Sequence, residues 1–166
     1  SNPGGLLESS IDISRQFIDK GIIVSTLSKD GLREIKRANG RALTKKPLIV
    51  LVNEGSASAS EIVSGAIRDN KRGKLVGNIT FGKGLVQSMR TLVDGSGLTV
   101  TVAKYLTPNG TDINKFGIVP DIQVRMNINP IRQSQIGTRK DNQYRAGEKE
   151  LVNIITKNQV SQFVPK

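Results

Sequence analysis

Residues 47–71 read PLIVLVNEGSASASEIVSGAIRDNK. The uninterrupted apolar run over 47–53 has strand length and predicts a strand covered on both faces of a sheet. Ile62, Val63, Ala66 and Ile67 then recur at helical spacing, which predicts a helix over 58–71. The few residues between leave room only for a tight turn. A strand, a tight turn and a helix is the context in which a serine hydroxyl is lifted above a sheet edge. The unpaired N–H groups of the helix start then face the place where an oxyanion would develop. Ser58 fits a nucleophile, and the N–H of Ala59 fits an oxyanion donor. Ser58-Ala59-Ser60-Glu61 also matches the capping box S-x-x-E, in which Ser58 caps the helix and Glu61 caps in return. Ser56 and Ser60 are alternative caps or turn residues. This segment alone leaves both readings open.

Upstream, Leu6, Leu7, Ile11, Ile13, Phe17 and Ile18 fall close to helical spacing, ending near Gly21. IIVSTLS (22–28) and LREIKRA (32–38) read as strands, with Asn39-Gly40 as a turn signal. Downstream, KLVG (74–77) is a short strand, followed by the glycine-bearing loop NITFGKG. LVQSMRTL (85–92) and LTVTVAKYLT (98–107) read as strands joined through Asp94-Gly95, a hairpin signal. A turn-rich segment ends in a short strand near 122–124. Interleaved strands and helices give an α/β fold. Residues 1–127 form the expected core, and 128–166 a basic extension with a possible helix over QYRAGEKELVNIITK.

The chain has 166 residues, of which 36% are hydrophobic and 23% charged, so one folded domain is expected rather than disorder. It begins at SNPGGLLESS without an initiator Met and reads as a cut inside a larger protein. No apolar run approaches the roughly eighteen residues of a membrane span. The formal net charge of +11 suggests nucleic-acid binding, but the basic residues are scattered. Trp is absent and aromatics are 4%, so stacking platforms are scarce and no nucleic-acid partner is expected. The basic tail could touch an anionic membrane surface peripherally.

There is no Cys and no His. Thiol nucleophiles, disulfides, thiolate metal sites and the usual hydrolase base are thereby excluded. A Ser58 nucleophile therefore needs another base, and TFGKGLVQ (80–87) offers Lys83 between two glycines. Lysine acts as a base when burial disfavours its ammonium form. Gly82 and Gly84 would let the backbone approach closely, so that the amine points inward. Gln87, four residues on, could hold the amine in line. The competing readings are a solvated surface lysine and a phosphate loop. Residues 77–83 match G-x-x-x-x-G-K, but Gly84 stands where a Ser or Thr should be, and a strand follows instead of a helix.

LVNEGSASASEIVSGAIRDNKRGKLVG followed by TFGKGLVQ resembles the carboxyl-terminal processing (tail-specific) serine proteases. NPGGLL (2–7), DGSGLTVTVAKYLTPNG (94–110) and INKFGIVPDI (113–122) match further blocks of the same catalytic domain in the same order. The likeness is strongest to the photosynthetic branch, whose members mature the C-terminus of a photosystem II reaction-centre subunit. It implies a crotonase-like spiral core of ββα units. It also implies Ser58 as nucleophile, Lys83 as general base and Gln87 as the residue orienting the lysine. The oxyanion donors would be Ala59 and a glycine of NPGG, with Gly4 preferred to Gly5. Asp69 matches a recurring acid and is read as structural. The resemblance implies neither metal nor cofactor, C-terminal protein tails as substrates, and a thylakoid-lumen or periplasmic location. Family members usually carry a PDZ-type domain upstream, and it is absent from this sequence. A non-catalytic relative serving as a binding or scaffold domain is the alternative, though Ser58, Lys83 and Gln87 are all retained.

Overall fold

The structure is a computed structural model and describes residues 1–126 and 135–163. Its elements are α1 (Leu7–Phe17), β1 (Ile22–Ser28), β2 (Arg33–Arg37), β3 (Ile49–Val52), α2 (Ala59–Asp69), β4 (Lys74–Gly77), β5 (Leu85–Thr91), β6 (Gly97–Leu106), β7 (Ile122–Gln123) and α3 (Asn142–Phe163). Two sheets result. An antiparallel sheet has the order β2-β1-β6-β5, and a parallel sheet the order β3-β4-β7. The α/β class expected from the sequence is the one observed.

The main core lies where α1 and α2 meet β1. Ile11, Ile23, Val24, Ile62, Ala66 and Ile67 are all buried there. Burying an aliphatic side chain of this size contributes about 1.5–3 kcal/mol, so this seam holds the helices to the sheet. A second cluster joins Val52 and Leu75 of the parallel sheet to Ile113 and Ile118 of the segment after β6. Arg72 ties the periphery together. Its guanidinium donates to the carbonyls of Phe17 (2.7 Å), Thr44 (3.0 Å) and Lys46 (2.9 Å).

Three crossings link the sheets, the first from β2 to β3 through residues 38–48. The chain leaves β4 through residues 78–84 to enter β5, and returns from β6 through 107–121 to reach β7. These two loops pack on one another. The Lys115 N–H donates to Gly82 O (2.8 Å), and Thr80 N–H to Ile118 O (3.2 Å). A Cβ on Gly82 would lie 2.8 Å from Gly117 N, and one on Gly84 2.7 Å from Asn114 N. Only glycine permits so close an approach of two backbones.

β3 stands at the edge of its sheet, with Val50 and Val52 packed into the cores on one face and Ile49 and Leu51 facing α3 on the other, where Leu51 stays 40% exposed. One expectation changes. The C-terminal helix is longer than its sequence pattern predicted. Asp141 caps it by accepting from the N–H groups of Gln143 (2.8 Å) and Tyr144 (3.2 Å). The helix docks beside β3, where Gly147 lets Ile49 and Leu51 come close, and Lys74 pairs with Glu150 at 2.7 Å. Among the described residues, no helix is long and apolar enough to cross a membrane. The expectation for residues 127–134 lies outside the described residues.

Candidate active site

The turn between β3 and α2 is built by short-range bonds. Asn53 O accepts from Ser56 N–H (2.8 Å), and the Ser56 hydroxyl accepts from Asn53 N–H (3.1 Å). The Ser56 side chain is thus spent on the turn. Ser60 lies inside the first turn of α2, and its carbonyl accepts from the Ser64 hydroxyl (2.8 Å). Ser58 stands between them at φ 56°, ψ −119°, a left-handed conformation that a non-glycine residue seldom adopts. Such a backbone costs about 1–3 kcal/mol and persists only where its surroundings impose it.

Ser58 and Glu61 face one another in capping-box geometry, but the hydrogen bonds run through the Glu61 carboxylate and the Ser58 backbone. Glu61 Oε2 accepts the Ser58 N–H at 2.9 Å, but the Glu61 N–H goes to the Ser58 backbone carbonyl (2.8 Å). The Ser58 hydroxyl makes no cap bond. It is therefore held at the mouth of α2 without being consumed there. The Ala59 N–H, one of the orphan donors of the first turn, has no acceptor among the described residues.

Glu61 organises the site. Its side chain is fully buried, yet both oxygens are satisfied. Oε1 accepts from the Thr80 hydroxyl (2.6 Å) and Gly82 N–H (2.8 Å), while Oε2 accepts from Ser58 N–H and Lys83 N–H, both at 2.9 Å. Four donors fill the acceptor capacity of a carboxylate. One buried residue therefore clamps the backbone of the candidate nucleophile to the backbone of the candidate base. Thr80 extends the clamp, because its oxygen accepts from Ile118 N–H at 2.7 Å. Sequence reasoning assigned Glu61 only a capping role and missed Thr80. The S-x-x-E pattern was the available signal, but it places the carboxyl beside one backbone and says nothing of the second.

Lys83 is exposed, contrary to the inward orientation expected from its flanking glycines. The glycines are instead required by the 113–117 backbone behind them. Gln87 is also exposed, on β5. A β-bulge intervenes there. Gln87 pairs with Thr101 and Val86 with Ala103, so Val102 has no partner opposite. Bulges of this kind recur beside functional sites, where they re-aim a side chain. Among the described residues, no hydrogen bond joins the Ser58 hydroxyl, the Lys83 amine and the Gln87 amide.

The N-terminal segment closes the other side. The Ala57 N–H donates to Asn2 O at 3.0 Å. Gly4, at φ +99°, lies so close that a Cβ would meet Ala57 O at 2.6 Å and Ala59 N at 2.9 Å. The Gly4 N–H donates to the Asn2 side-chain oxygen (3.0 Å), whereas Gly5 is exposed. A cavity of about 300 Å³ opens behind this segment between α1, β3 and α2, but neither Ser58 nor Lys83 lines it. Asp69 is structural. Its buried carboxylate pairs with Arg68 (2.9 Å) and accepts from Asn109 N–H (3.1 Å), anchoring the loop after β6.

Among the described residues, no cluster of acidic side chains could hold a metal ion. The sequence pattern of Peptidase family S41 matches residues 1–124. The carboxyl-terminal-processing protease of Synechocystis sp. is 51% identical over 146 residues, covering 88% of this chain and 34% of its own. The chloroplastic C-terminal processing peptidase of Tetradesmus obliquus is 47% identical over 131 residues, covering 78% of this chain and 28% of its own. Among solved structures, the photosystem II D1 C-terminal processing protease superposes with a TM-score of 0.72 at 48% identity. That superposition covers 75% of this chain and 32% of the other. The chain spans about a third of the length of these relatives.

Proposed function

The chain belongs to peptidase family S41, and from that premise we propose that it is the catalytic core of a serine protease that cleaves protein substrates near their C-termini through a Ser58–Lys83 dyad. The observation that carries this reading is the Glu61 clamp. It joins Ser58, strained and with an unspent hydroxyl, to the loop that bears Lys83.

Neutral Lys83 takes the Ser58 proton as Oγ attacks the scissile carbonyl. The tetrahedral oxyanion rests on the Ala59 N–H and on Gly4, whose N–H exchanges the Asn2 oxygen for the oxyanion. Each such donor is typically worth about 3 kcal/mol. The C–N bond breaks, and the Lys83 ammonium returns its proton to the leaving amine. Lys83 then deprotonates a water that attacks the acyl-enzyme and frees Ser58. Gln87 aligns the amine. Lys83 is exposed in this chain, and substrate bound over it would exclude water from the amine.

The substrate class is protein C-terminal tails. The names of the relatives favour a photosystem II reaction-centre precursor, matured in the thylakoid lumen or an equivalent extracytoplasmic space. A PDZ-type domain elsewhere in the longer protein would capture the tail. In the complete protein, Ser58→Ala and Lys83→Ala should each lower kcat on a tailed substrate by at least about 10⁴-fold. A fluorophosphonate should label Ser58 only while Ser58 and Lys83 are both intact. Wild-type cleavage by either variant would refute the dyad.

A further inference from the structure

Phe17 packs against the main core, but Phe81 and Phe116 stand 64% and 79% exposed. They come from the two crossings whose backbones touch. Phe81 lies in 78–84 and Phe116 in 107–121, and a Cβ on Gly82 would meet Phe116 N at 3.0 Å. Ile79 and Val119, also exposed, adjoin the bond from Thr80 N–H to Ile118 O. Single exposed apolar residues are ordinary, but four on two touching loops form a patch.

The patch is built on a rigid base. Both neighbours of Phe81 are tied to Glu61, because the Thr80 hydroxyl (2.6 Å) and the Gly82 N–H (2.8 Å) donate to its Oε1. The Phe81 N–H itself donates to Ser56 O at 3.0 Å. Phe116 follows Lys115, whose φ of 68° is a left-handed conformation unfavourable for any residue but glycine. The N–H groups of Phe116 (3.2 Å) and Gly117 (2.9 Å) close this turn on Ile113 O, between buried Ile113 and Ile118. Apolar rings left in water are unfavourable, and here pinned backbones keep two of them there.

The position of the patch says what covers it. Phe81 stands two residues before Lys83, and its N–H is bonded to the residue two before Ser58. A permanent cover over Phe81 would also close the reacting groups, so its occupant has to come and go. Lys83 and Lys115 border the patch, and no acidic residue falls within 79–83 or 113–119, which suits a tail ending in a carboxylate.

We infer that Phe81 and Phe116 form an apolar subsite that seats an apolar side chain of the substrate next to the scissile bond. The inference rests on the protease reading above and adds which kind of side chain in the tail is read. An extended peptide advances about 3.3 Å per residue, so a side chain one or two residues from the attacked carbonyl reaches this patch. Aromatic rings contribute large apolar contact areas at such interfaces.

The test uses the complete protein and peptide substrates in which each residue near the scissile bond is changed in turn from leucine to serine. One position beside the bond should lose about tenfold or more in kcat/KM. Phe116→Ala and Phe81→Ala should each weaken that preference by at least about threefold and leave the ratios at other positions unchanged. Phe116→Leu, which keeps an apolar group, should retain most of it. Equal loss across the whole series would mark a structural role and overturn the inference. A preference that both alanine variants leave intact would also overturn it, and would assign the patch to another part of the longer protein. A second readout needs no change at either phenylalanine. On Ser58→Ala protein, which keeps the peptide whole, a benzophenone side chain at the selective position should crosslink to residues within 79–83 or 113–119. Crosslinks confined to other residues overturn the inference. Failure of a fluorophosphonate to label Ser58 in the unmodified protein would instead overturn the protease reading itself.

Discussion

On one side of Glu61, the elbow carrying Ser58 is bonded and strained, with Ser56, Ala57 and Ala59 buried. On the other, the Lys83 side chain and the strand after it stand in solvent. The two sides share one carboxyl group, so their backbones are equally well placed. What differs is what lies beyond the backbone. The elbow is completed within the chain, by Asn2, Gly4 and the first turn of α2. The base side ends in an exposed amine and an open strand edge. The chain thus fixes the proposed nucleophile in advance and leaves the proposed base uncovered among the described residues. Such a division suits an enzyme whose site is completed by what binds over it.

The largest test of this contrast removes the shared group. Glu61→Ala would orphan two buried and two part-buried donors, each buried one costing about 1–3 kcal/mol, so a loss of about 3 kcal/mol or more is expected in urea unfolding. A loss below about 1 kcal/mol would show that the carboxyl does not hold the two sides together.

A smaller effect is expected at the elbow alone. Gly4→Ala forces a side chain into the left-handed region and against Ala57 O and Ala59 N. It should cost about 1–3 kcal/mol of stability and lower kcat about 10²-fold with little change in KM. An unchanged kcat would remove Gly4 from the oxyanion site and leave the contrast resting on Ser58 and Glu61.

The smallest effect lies outside the site. The hydrogen bond from Lys74 holds the Glu150 carboxyl below its ordinary range, and the same bond raises Lys74. A depressed carboxyl contributes stability above its unfolded pKa, about 4.3, and loses it as pH falls through its folded value. A raised lysine contributes below about 10.4 and loses it as pH rises through its folded value. Lys74→Ala should therefore lower Tm by at most a few degrees near neutral pH. The difference from wild type should vanish in acid. An equal difference at pH 3 and pH 7 would mean that packing of α3, and not the ion pair, is what the variant disturbs.

Much of this was legible in the residues. Strand-length apolar runs, the helical spacing of α2 and the Asp94-Gly95 hairpin signal report local geometry, and each element appeared where its pattern lay. The missing histidine directed attention to a lysine base by elimination. The environment of that lysine was not legible. Gly82 and Gly84 signalled close backbone approach, but not that the approaching segment would be the 113–117 turn, nor that Lys83 would stand exposed. The apolar run of β3 signalled cover on its faces but carries no information about its place at the edge of the sheet.

The sequence by itself determined the elements, the elbow, and the two side chains available for chemistry. These depend on periodicity, turn chemistry and residue type, which act over a few positions. Only the tertiary structure decided whether Ser58 caps its helix or keeps its hydroxyl, and it did so through Glu61. A single carboxyl accepting from residues 58, 80, 82 and 83 is a long-range arrangement. Its cost in chain entropy is repaid only once the crossing through residues 78–84 has packed against the mouth of α2.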